Sequence, residues 1–473
     1  MDTERRDKIL RGIHDYFDKF LKNGLLLLED TETMRVAVFK RRKAYDAHLL
    51  KGMYWAVFSL HLLYKKYGIA TPERLEHAAK PVVHESLFRY EVGADDGFEN
   101  INYRPVLRES NATVVRETTV LSYSGMEEAI NAMLARPTFN RSEDSSSQEL
   151  EAFSCESNEE LETHMLKGDE VEQLLEYLKS CQREFVYKDN SYLGFSNSDD
   201  RRRFFSNVSS TLMAVNTYRV IADNFKAREI ATMLKHMTWM YQSEELLAFI
   251  QLLYVPGEGF YRSKLRPLVP KSSDIRDTAT AVLATSVVLR LTGFQNEAYQ
   301  EKIYEWVNVK EVYEHVMKHF NEDGGICLTP GTESHCGAAF CAIATLTVIG
   351  KLLEVPRQKL IDLRSWLLQR ISASGGVSGR VGKAEDVCYA FWLMMTLAML
   401  NKCGVHCQVG RGQEIIRFIE SCQSPSGGIT SYPVEGEAPK RPDPFHSFAA
   451  LMTIALVDEE REHSDISVLQ MLI

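Results

Sequence analysis

From Val171 onward the chain repeats a helical pattern whose two halves make opposite demands on their surroundings. Glycine-bearing markers recur as SYLGFS at 191–196, GEGFYR at 257–262, DGGICL at 323–328, SGGVSG at 374–379 and SGGITS at 426–431, the last three about 50 residues apart. Charged amphipathic helices are predicted before the glycines (VKEVYEHVMKHF, RQKLIDLRSWLLQR, GQEIIRFIESCQ). Apolar helices rich in small residues are predicted after them (TATAVLATSVVLRL, AAFCAIATLTVIGKL, VCYAFWLMMTLAML). A helix that is apolar all round must be buried on every side, whereas an amphipathic one keeps a face in water. Two concentric rings satisfy both, so the pattern predicts an all-α fold: an α/α barrel (toroid) of helical hairpins, with the inner ring apolar and the outer ring amphipathic. In such a barrel the loops entering the inner helices lie at one end, and residues just after each glycine pair converge on one mouth.

The repeat assigns residues 171–473 to the barrel and its site. Residues 1–135 supply N-terminal helices that join it, among them AHLLKGMYWAVFSLHLLYKKYG, apolar almost all round and stopped at Gly68. Residues 71–125 show no firm period. Between 136 and 170 the chain turns acidic, Ser-rich and poor in large apolar residues, the composition of a disordered surface insertion or mobile lid. The net charge of −10 argues against nucleic acid as the main partner. No window reaches the roughly 18 consecutive apolar residues of a membrane span. The charged start MDTERRDKILRGIHDYFDKFL has no apolar signal core, which points to a cytoplasmic protein. Nine cysteines, an odd number lying mostly in apolar helical runs, fit reduced thiols rather than a disulfide framework.

Chemistry is densest in GGVSGRVGKAEDVCYAFW, residues 375–392. Arg380 and Lys383 form a cationic pair in a Gly-rich loop, a composition that holds phosphate oxygens through charge-assisted hydrogen bonds. Asp386 and Cys388 offer a carboxylate and a thiolate, both ligands for Zn²⁺, and a zinc site needs at least a third. His446 of DPFHSF is the candidate, since it too stands where a GG-containing loop runs into an apolar segment. Each residue alone has a plainer reading: Cys388 as a small buried hydrophobe, Asp386 as a helix N-cap, Arg380 and Lys383 as a solvated loop. Together they fit those readings worse, because a cap needs no thiol beside it and a solvated loop needs no aromatic at Tyr389. Cys403, His406 and Cys407 form a second conceivable metal cluster, ranked lower because the stretch reads as the frayed end of a helix.

The segments GTESHCGAAFCAIATLTVIGKL, GGVSGRVGKAEDVCYAFW and DPFHSF, in this order and spacing, resemble the β subunits of the protein prenyltransferases. The resemblance is firm over about 185–460, weaker at KGMYWAVFSLHLL, and has no counterpart for 136–170. It implies zinc ligation by Asp386, Cys388 and His446, and diphosphate binding by His335, Arg380, Lys383 and Tyr389. It also implies that Arg276 of SSDIRD lies at the substrate end of the funnel, with Trp55 and Trp392 on the apolar wall. Among the subfamilies the chain looks most like the type I geranylgeranyltransferase, with the Rab-type and farnesyl enzymes as alternatives. Two departures stand out. Lys51 falls where farnesyl enzymes carry a bulky residue and geranylgeranyl enzymes a small one, and a lysine in an apolar pocket is costly unless its ammonium reaches water. Ser431 falls where farnesyl enzymes carry an aspartate that helps bind Mg²⁺ and type I enzymes a lysine, which leaves Mg²⁺ open; Lys440 or Arg441 could fold back to serve.

The resemblance implies a heterodimer with a helical-repeat α subunit, an isoprenoid diphosphate as donor, and transfer of a geranylgeranyl group to a C-terminal (CaaX-type) cysteine of proteins such as small GTPases. Terpene cyclases also use α/α barrels, but neither a DDxxD nor a DxDD run occurs in the repeat region. A non-enzymatic helical-repeat scaffold would explain the hairpins and leave the acid, thiol and cation cluster without a purpose.

Overall fold

Small residues let the inner helices pack closely. In the computed structural model, which describes residues 3–26, 49–69, 89–91, 104–106, 168–197, 205–222, 239, 242–265, 273–293, 296–407, 409–433 and 442–462, Ala338, Ala339, Ala342 and Ala344 are fully buried along one such helix. The described helices are α1 (Thr3–Leu26), α2 (Leu49–Tyr67), α3 (Gly168–Ser180), α4 (Val208–Ala222), α5 (Ser243–Leu252), α6 (Ile275–Leu291), α7 (Asn296–Trp306), α8 (Val309–Met317), α9 (Cys336–Val348), α10 (Arg357–Leu368), α11 (Val387–Lys402), α12 (Gly412–Ser421) and α13 (Pro444–Glu462). Helices α2, α4, α6, α9, α11 and α13 each pack on the next, and α13 returns to α2, closing an inner ring of six. Around it α1 backs α2, α3 backs α4, α5 and α7 back α6, α8 backs α9, α10 backs α11 and α12 backs α13. The outer helices bury one stripe only: α12 turns Ile415, Ile416 and Ile419 inward and leaves Arg417 in solvent. The α/α toroid expected from the repeat is the fold observed. The N-terminal helix helps close it, through Arg6 to the buried Asp458 of α13 (3.3 Å) and the Gly12 carbonyl, which accepts from the Gly428 amide (3.1 Å).

The glycine markers do a specific job. Each folds into a short hairpin between an outer and an inner helix, bridged at Phe320–Ile326, Ile371–Val377 and Gln423–Ile429. Gly375 shows why glycine is needed: its φ is +89°, and a Cβ there would lie 2.1 Å from the Glu414 carbonyl oxygen. At the last four markers, the final residue or the one after it accepts a hydrogen bond from the first amide of the preceding inner helix. Val208 donates to Ser263 O, Ile275 to Leu328 O, Cys336 to Gly379 O and Val387 to Ser431 O, all at 2.9–3.0 Å. Amides that a helix N-terminus leaves unpaired are thereby satisfied by the next repeat, which pins successive loops to one rim.

The purely helical expectation needs amending at the first two markers. SYLGFS is a strand, β4 (Asn190–Phe195), antiparallel to β3 (Gln182–Tyr187), and the turn between them has positive φ at Lys188 and Asp189. The 71–125 stretch, which carried no assignment, supplies β1 (Arg89–Glu91), parallel to β3, and β2 (Arg104–Val106), antiparallel to β1. GEGFYR closes a second hairpin, β5 (Tyr254–Val255) with β6 (Phe260–Tyr261). Of the segment read as an insertion, residues 136–167 lie outside the described residues, and α3 already begins at Gly168.

Candidate functional site

The site is built from helix caps. Five inner helices open on a residue whose side chain accepts from a first-turn amide: Asn207 from Ser210, Asp274 from Arg276, His335 from Gly337, Asp386 from Cys388, and Asp443 from Phe445 and His446. The rim pinned by the markers therefore carries a ring of polar groups at fixed heights.

On one side of this rim Asp386, Cys388 and His446 converge, with one donor atom from each lying within 4.8 Å of the others. No other such group of histidine, cysteine and carboxylate ligands occurs among the described residues. Asp386 Oδ1 caps α11 by accepting from the Cys388 amide at 2.9 Å and lies 3.2 Å from His446 Nε2. The other imidazole nitrogen, Nδ1, is 2.5 Å from Asp443 Oδ2, while Asp443 Oδ1 caps α13. A carboxylate behind the histidine fixes the ring so that Nε2 faces Asp386 and Cys388, the arrangement that orients metal-ligating histidines. The electrostatics ask for a cation. Burial, then the charge of Asp386, raises the Cys388 thiol far above its usual range. Burial opposes charge on His446, but its hydrogen bonds to Asp386 and Asp443 outweigh it and raise the imidazole to about 9. Asp386 is held below the usual carboxylate range despite its burial, through His446 and the Cys388 amide. A mixed oxygen, nitrogen and sulfur set at one point, with a thiol held back from ionising, fits a divalent cation, which inverts that balance and favours the thiolate.

Beside this group, toward α9, stand the cations. His335 caps α9 through Nδ1, which accepts from the Gly337 amide at 3.0 Å, so its proton resides on Nε2. Burial, then the charges of Arg380 and Arg276, push it down to about 4 and keep it a neutral donor at neutral pH. Its ring meets Tyr389 edge-on at 5.4 Å. Gly379 leaves room for that phenol, since a Cβ there would fall 2.2 Å from the Tyr389 ring. Arg380 Nη1 pairs with Glu333 at 2.5 Å, and its buried Nε has no partner. Arg276 is clamped to Asp274 through Nε and Nη2 (2.6–3.1 Å). Lys383 is exposed on the loop. The structure thus gathers Arg276, Arg380 and Tyr389 around His335 and leaves Lys383 in solvent at the rim.

Trp392 and Trp55 meet through one residue absent from the sequence reading. Phe445 lies 6.1 Å from Trp392 and 5.2 Å from Trp55, and its ring is 5.3 Å from that of His446. Phe340 extends this wall to α9, 4.8 Å from Trp392. Asp443, Glu333 and Asp274 were also missed. Asp443 had a legible signal, an Asp-Pro pair opening an apolar run, which marks a helix start with proline at its first position. Cys403 and Cys407 form no metal group: their thiols approach the carbonyls of Leu400 and Val405, and α11 ends at Lys402. Ser431 is engaged through its carbonyl, and Lys440 and Arg441 lie outside the described residues. No helix of the described residues is long and apolar enough to cross a membrane.

The family described as "Prenyltransferase alpha-alpha toroid domain" matches residues 126–471. A stretch of 146 residues is 35% identical to the geranylgeranyl transferase type-1 subunit beta of Arabidopsis thaliana, covering 29% of this chain and 36% of that protein. Another of 185 residues is 31% identical to the geranylgeranyl transferase type-2 subunit beta of Saccharomyces cerevisiae, covering 39% of this chain and 50% of that protein. The chain thus spans half or less of the length of these curated relatives. The solved structure of Candida albicans protein geranylgeranyltransferase-I complexed with GGPP is 18% identical, with a TM-score of 0.46, covering 63% of this chain and 80% of that chain.

Proposed function

The chain belongs to the prenyltransferase alpha-alpha toroid family, and we propose that it is the β subunit of a type I protein geranylgeranyltransferase, working as a heterodimer with an α subunit. The observation that carries this reading is the convergence of Asp386, Cys388 and His446 at the mouth of a barrel of that family, with an aromatic wall on one side and a cluster of donors on the other. The donor would be geranylgeranyl diphosphate and the acceptor a cysteine near the carboxyl terminus of a CaaX-type protein such as a small GTPase.

The residues present fit Zn²⁺, which when bound supplies a Lewis acid that lowers the pKa of an incoming cysteine thiol, so that the nucleophile is a thiolate at neutral pH. Asp386, Cys388 and His446 would hold it, and Asp443 keeps His446 turned toward it. The acceptor sulfur attacks the first carbon of the isoprenoid. A C–S bond forms, the C–O bond to diphosphate breaks, and the thiol proton leaves to solvent. Negative charge grows on the departing diphosphate, and His335 Nε2–H, the Arg380 guanidinium and the Tyr389 hydroxyl are the preorganised donors for it. The unpartnered Arg380 Nε is a donor that such an anion would satisfy. Trp55, Phe445, Trp392 and Phe340 would take the hydrocarbon chain and exclude water.

A Rab-type geranylgeranyltransferase is the second reading, favoured by the match to a type-2 subunit over 185 residues. The test is an assay of the heterodimer that pairs farnesyl or geranylgeranyl diphosphate with peptides ending in Leu or in Ser/Met. The type I reading predicts the highest rate for geranylgeranyl diphosphate with the Leu-ended peptide. A higher rate with the farnesyl donor would replace it with the farnesyl reading, and alkylation of a whole GTPase but of none of the peptides would favour the Rab-type reading.

A further inference from the structure

Two markers carry the same side-chain lock with its halves exchanged. In the third, Asp323 stands just before the glycine pair and Ser334 just before the N-cap His335, and the Ser334 hydroxyl donates to Asp323 Oδ1 at 2.7 Å. In the fourth the acid and the serine trade places. Ser374 precedes the pair, Glu385 precedes the N-cap Asp386, and the Ser374 hydroxyl donates to Glu385 Oε2 at 2.8 Å. The second glycine of each pair makes room for this bond: a Cβ on Gly325 would lie 2.5 Å from that of Ser334, and one on Gly376 would lie 2.2 Å from Glu385 Oε2. A hydrogen bond that recurs with donor and acceptor exchanged belongs to the position and not to either residue type. At the fifth marker the counterpart of Glu385 is Pro442, whose side chain offers neither half. There Asp443 does the work itself, capping α13 with Oδ1 and meeting His446 with Oδ2.

The fourth lock closes the base of the loop that carries Arg380 and Lys383 and ends on Asp386. Glu385 also bridges to Ser378, and the next amide, that of Asp386, donates to Val377 O at 3.0 Å. Ser374 is anchored in turn, since its oxygen accepts from the Gly376 amide at 3.2 Å. A displacement of Glu385 reaches Asp386 through a single peptide unit, and Asp386 Oδ1 must stand 3.2 Å from His446 Nε2 while it caps α11. Groups that orient a ligand in this way contribute to metal affinity without touching the ion. We infer that Ser374 and Glu385 are positioning residues, a lock that fixes Asp386 beside His446. The inference rests on the metal reading of Asp386, Cys388 and His446 and adds two residues to it.

Two readouts on the heterodimer test the lock: Co²⁺ affinity by chelator competition, and hydrogen exchange of segment 378–388 in the metal-free complex. Ser374→Ala changes no charge. It is expected to weaken cobalt binding about tenfold and to speed exchange across the segment by a similar factor. Glu385→Gln keeps an acceptor oxygen for Ser374 and is expected to stay within about threefold of the unmodified complex. Ser374→Asp combined with Glu385→Ser copies the third marker and is expected to recover in both readouts what Glu385→Ser alone loses. A role in stability alone would lower the Tm of Ser374→Ala and leave cobalt affinity of the folded complex unchanged, and that result overturns the inference. So does a loss in Glu385→Gln as large as in Ser374→Ala, which would assign the effect to charge, or a folded double variant that recovers neither readout. Cobalt bound by no form of the complex would remove the metal reading, and exchange would then decide the lock: faster in Ser374→Ala and restored in the double variant, it stands; unchanged, it falls. Tight cobalt binding indifferent to Ser374 would do the reverse, removing the lock and leaving the metal reading.

Discussion

On the α11–α13 side of the mouth, Asp386, Cys388 and His446 already face one another, and Asp443 holds the histidine from behind. On the α6–α9 side the arginines are each spent on an acid, Arg276 on Asp274 and Arg380 on Glu333, and His335 is held neutral. The first side is preorganised for a cation. The second is quenched within the chain, so an anionic ligand has to compete with Glu333 and Asp274 for the groups that bind it. The difference suggests a division of labour: the nucleophile's side is fixed by caps, and the leaving group's side is released by the ligand itself.

The comparison breaks most completely if the fixed side is not needed. Cys388→Ala and His446→Ala are each expected to lose bound metal and reduce alkylation to background while the circular dichroism of the helices is unchanged, because both side chains lie at the mouth and not in the packed layers between rings. Full alkylation by either variant without metal would end the assignment. Asp443→Asn should be milder. Asparagine still caps α13, but the charge behind His446 is gone, and metal affinity measured by chelator competition should fall about 10–100-fold.

Acid sensitivity of the fold should arise in the outer layer as well as at the buried, neutral His335. His315 Nε2 and His319 Nε2 are 3.1 Å apart in the outer layer, and His319 Nδ1 is 2.9 Å from the Cys327 carbonyl. The Cys327 carbonyl requires a proton on His319 Nδ1, so His319 Nε2 accepts from His315 Nε2–H, and burial opposes a charge on either ring. Burial first, then the charge of His319 and Lys318, push His315 down to about 3. Its contribution is therefore intact above the unfolded-state value of about 6.5 and is lost as the pH falls toward the folded value, with roughly 2 kcal/mol gone by pH 5. Urea midpoints at pH 7 and pH 5 measure this, and His315→Gln should flatten the dependence.

The smallest effects belong to the quenched side. Arg380→Ala should weaken binding of the isoprenoid diphosphate by about tenfold, near the lower end of what a charge-assisted hydrogen bond supplies, because part of that charge is already committed to Glu333. Glu333→Gln should tighten the same binding a fewfold by removing the competitor. Unchanged affinity in both variants would put the anion pocket elsewhere and dissolve the contrast between the two sides.

The barrel was legible because two helix periods, amphipathic and all-apolar, alternate over five glycine markers. Asp386 is more instructive. Read from the sequence as either a cap or a ligand, it is placed by the fold to serve as a cap and to stand beside His446 with the same oxygen, so the plainer reading supplied the geometry for the chemical one. The strands were missed for a local reason. QREFVY and NSYLGF are short, and the pairing of β3 with β1 spans about 90 residues, a contact that no local pattern reports. Glu333 and Asp274 escaped notice because an acid beside a loop looks like solvation until its arginine is seen. Lys51 was noticed as a misfit, and the structure half-buries it on the first turn of α2, where burial lowers its pKa.

The central claim is that Asp386, Cys388 and His446 together hold one metal ion. Substituting Co²⁺ into the purified heterodimer and recording its absorption spectrum tests this most directly. The account predicts one equivalent of cobalt per chain and a thiolate-to-cobalt charge-transfer band that disappears in Cys388→Ala. Substoichiometric cobalt, or a band that survives in Cys388→Ala, would contradict it.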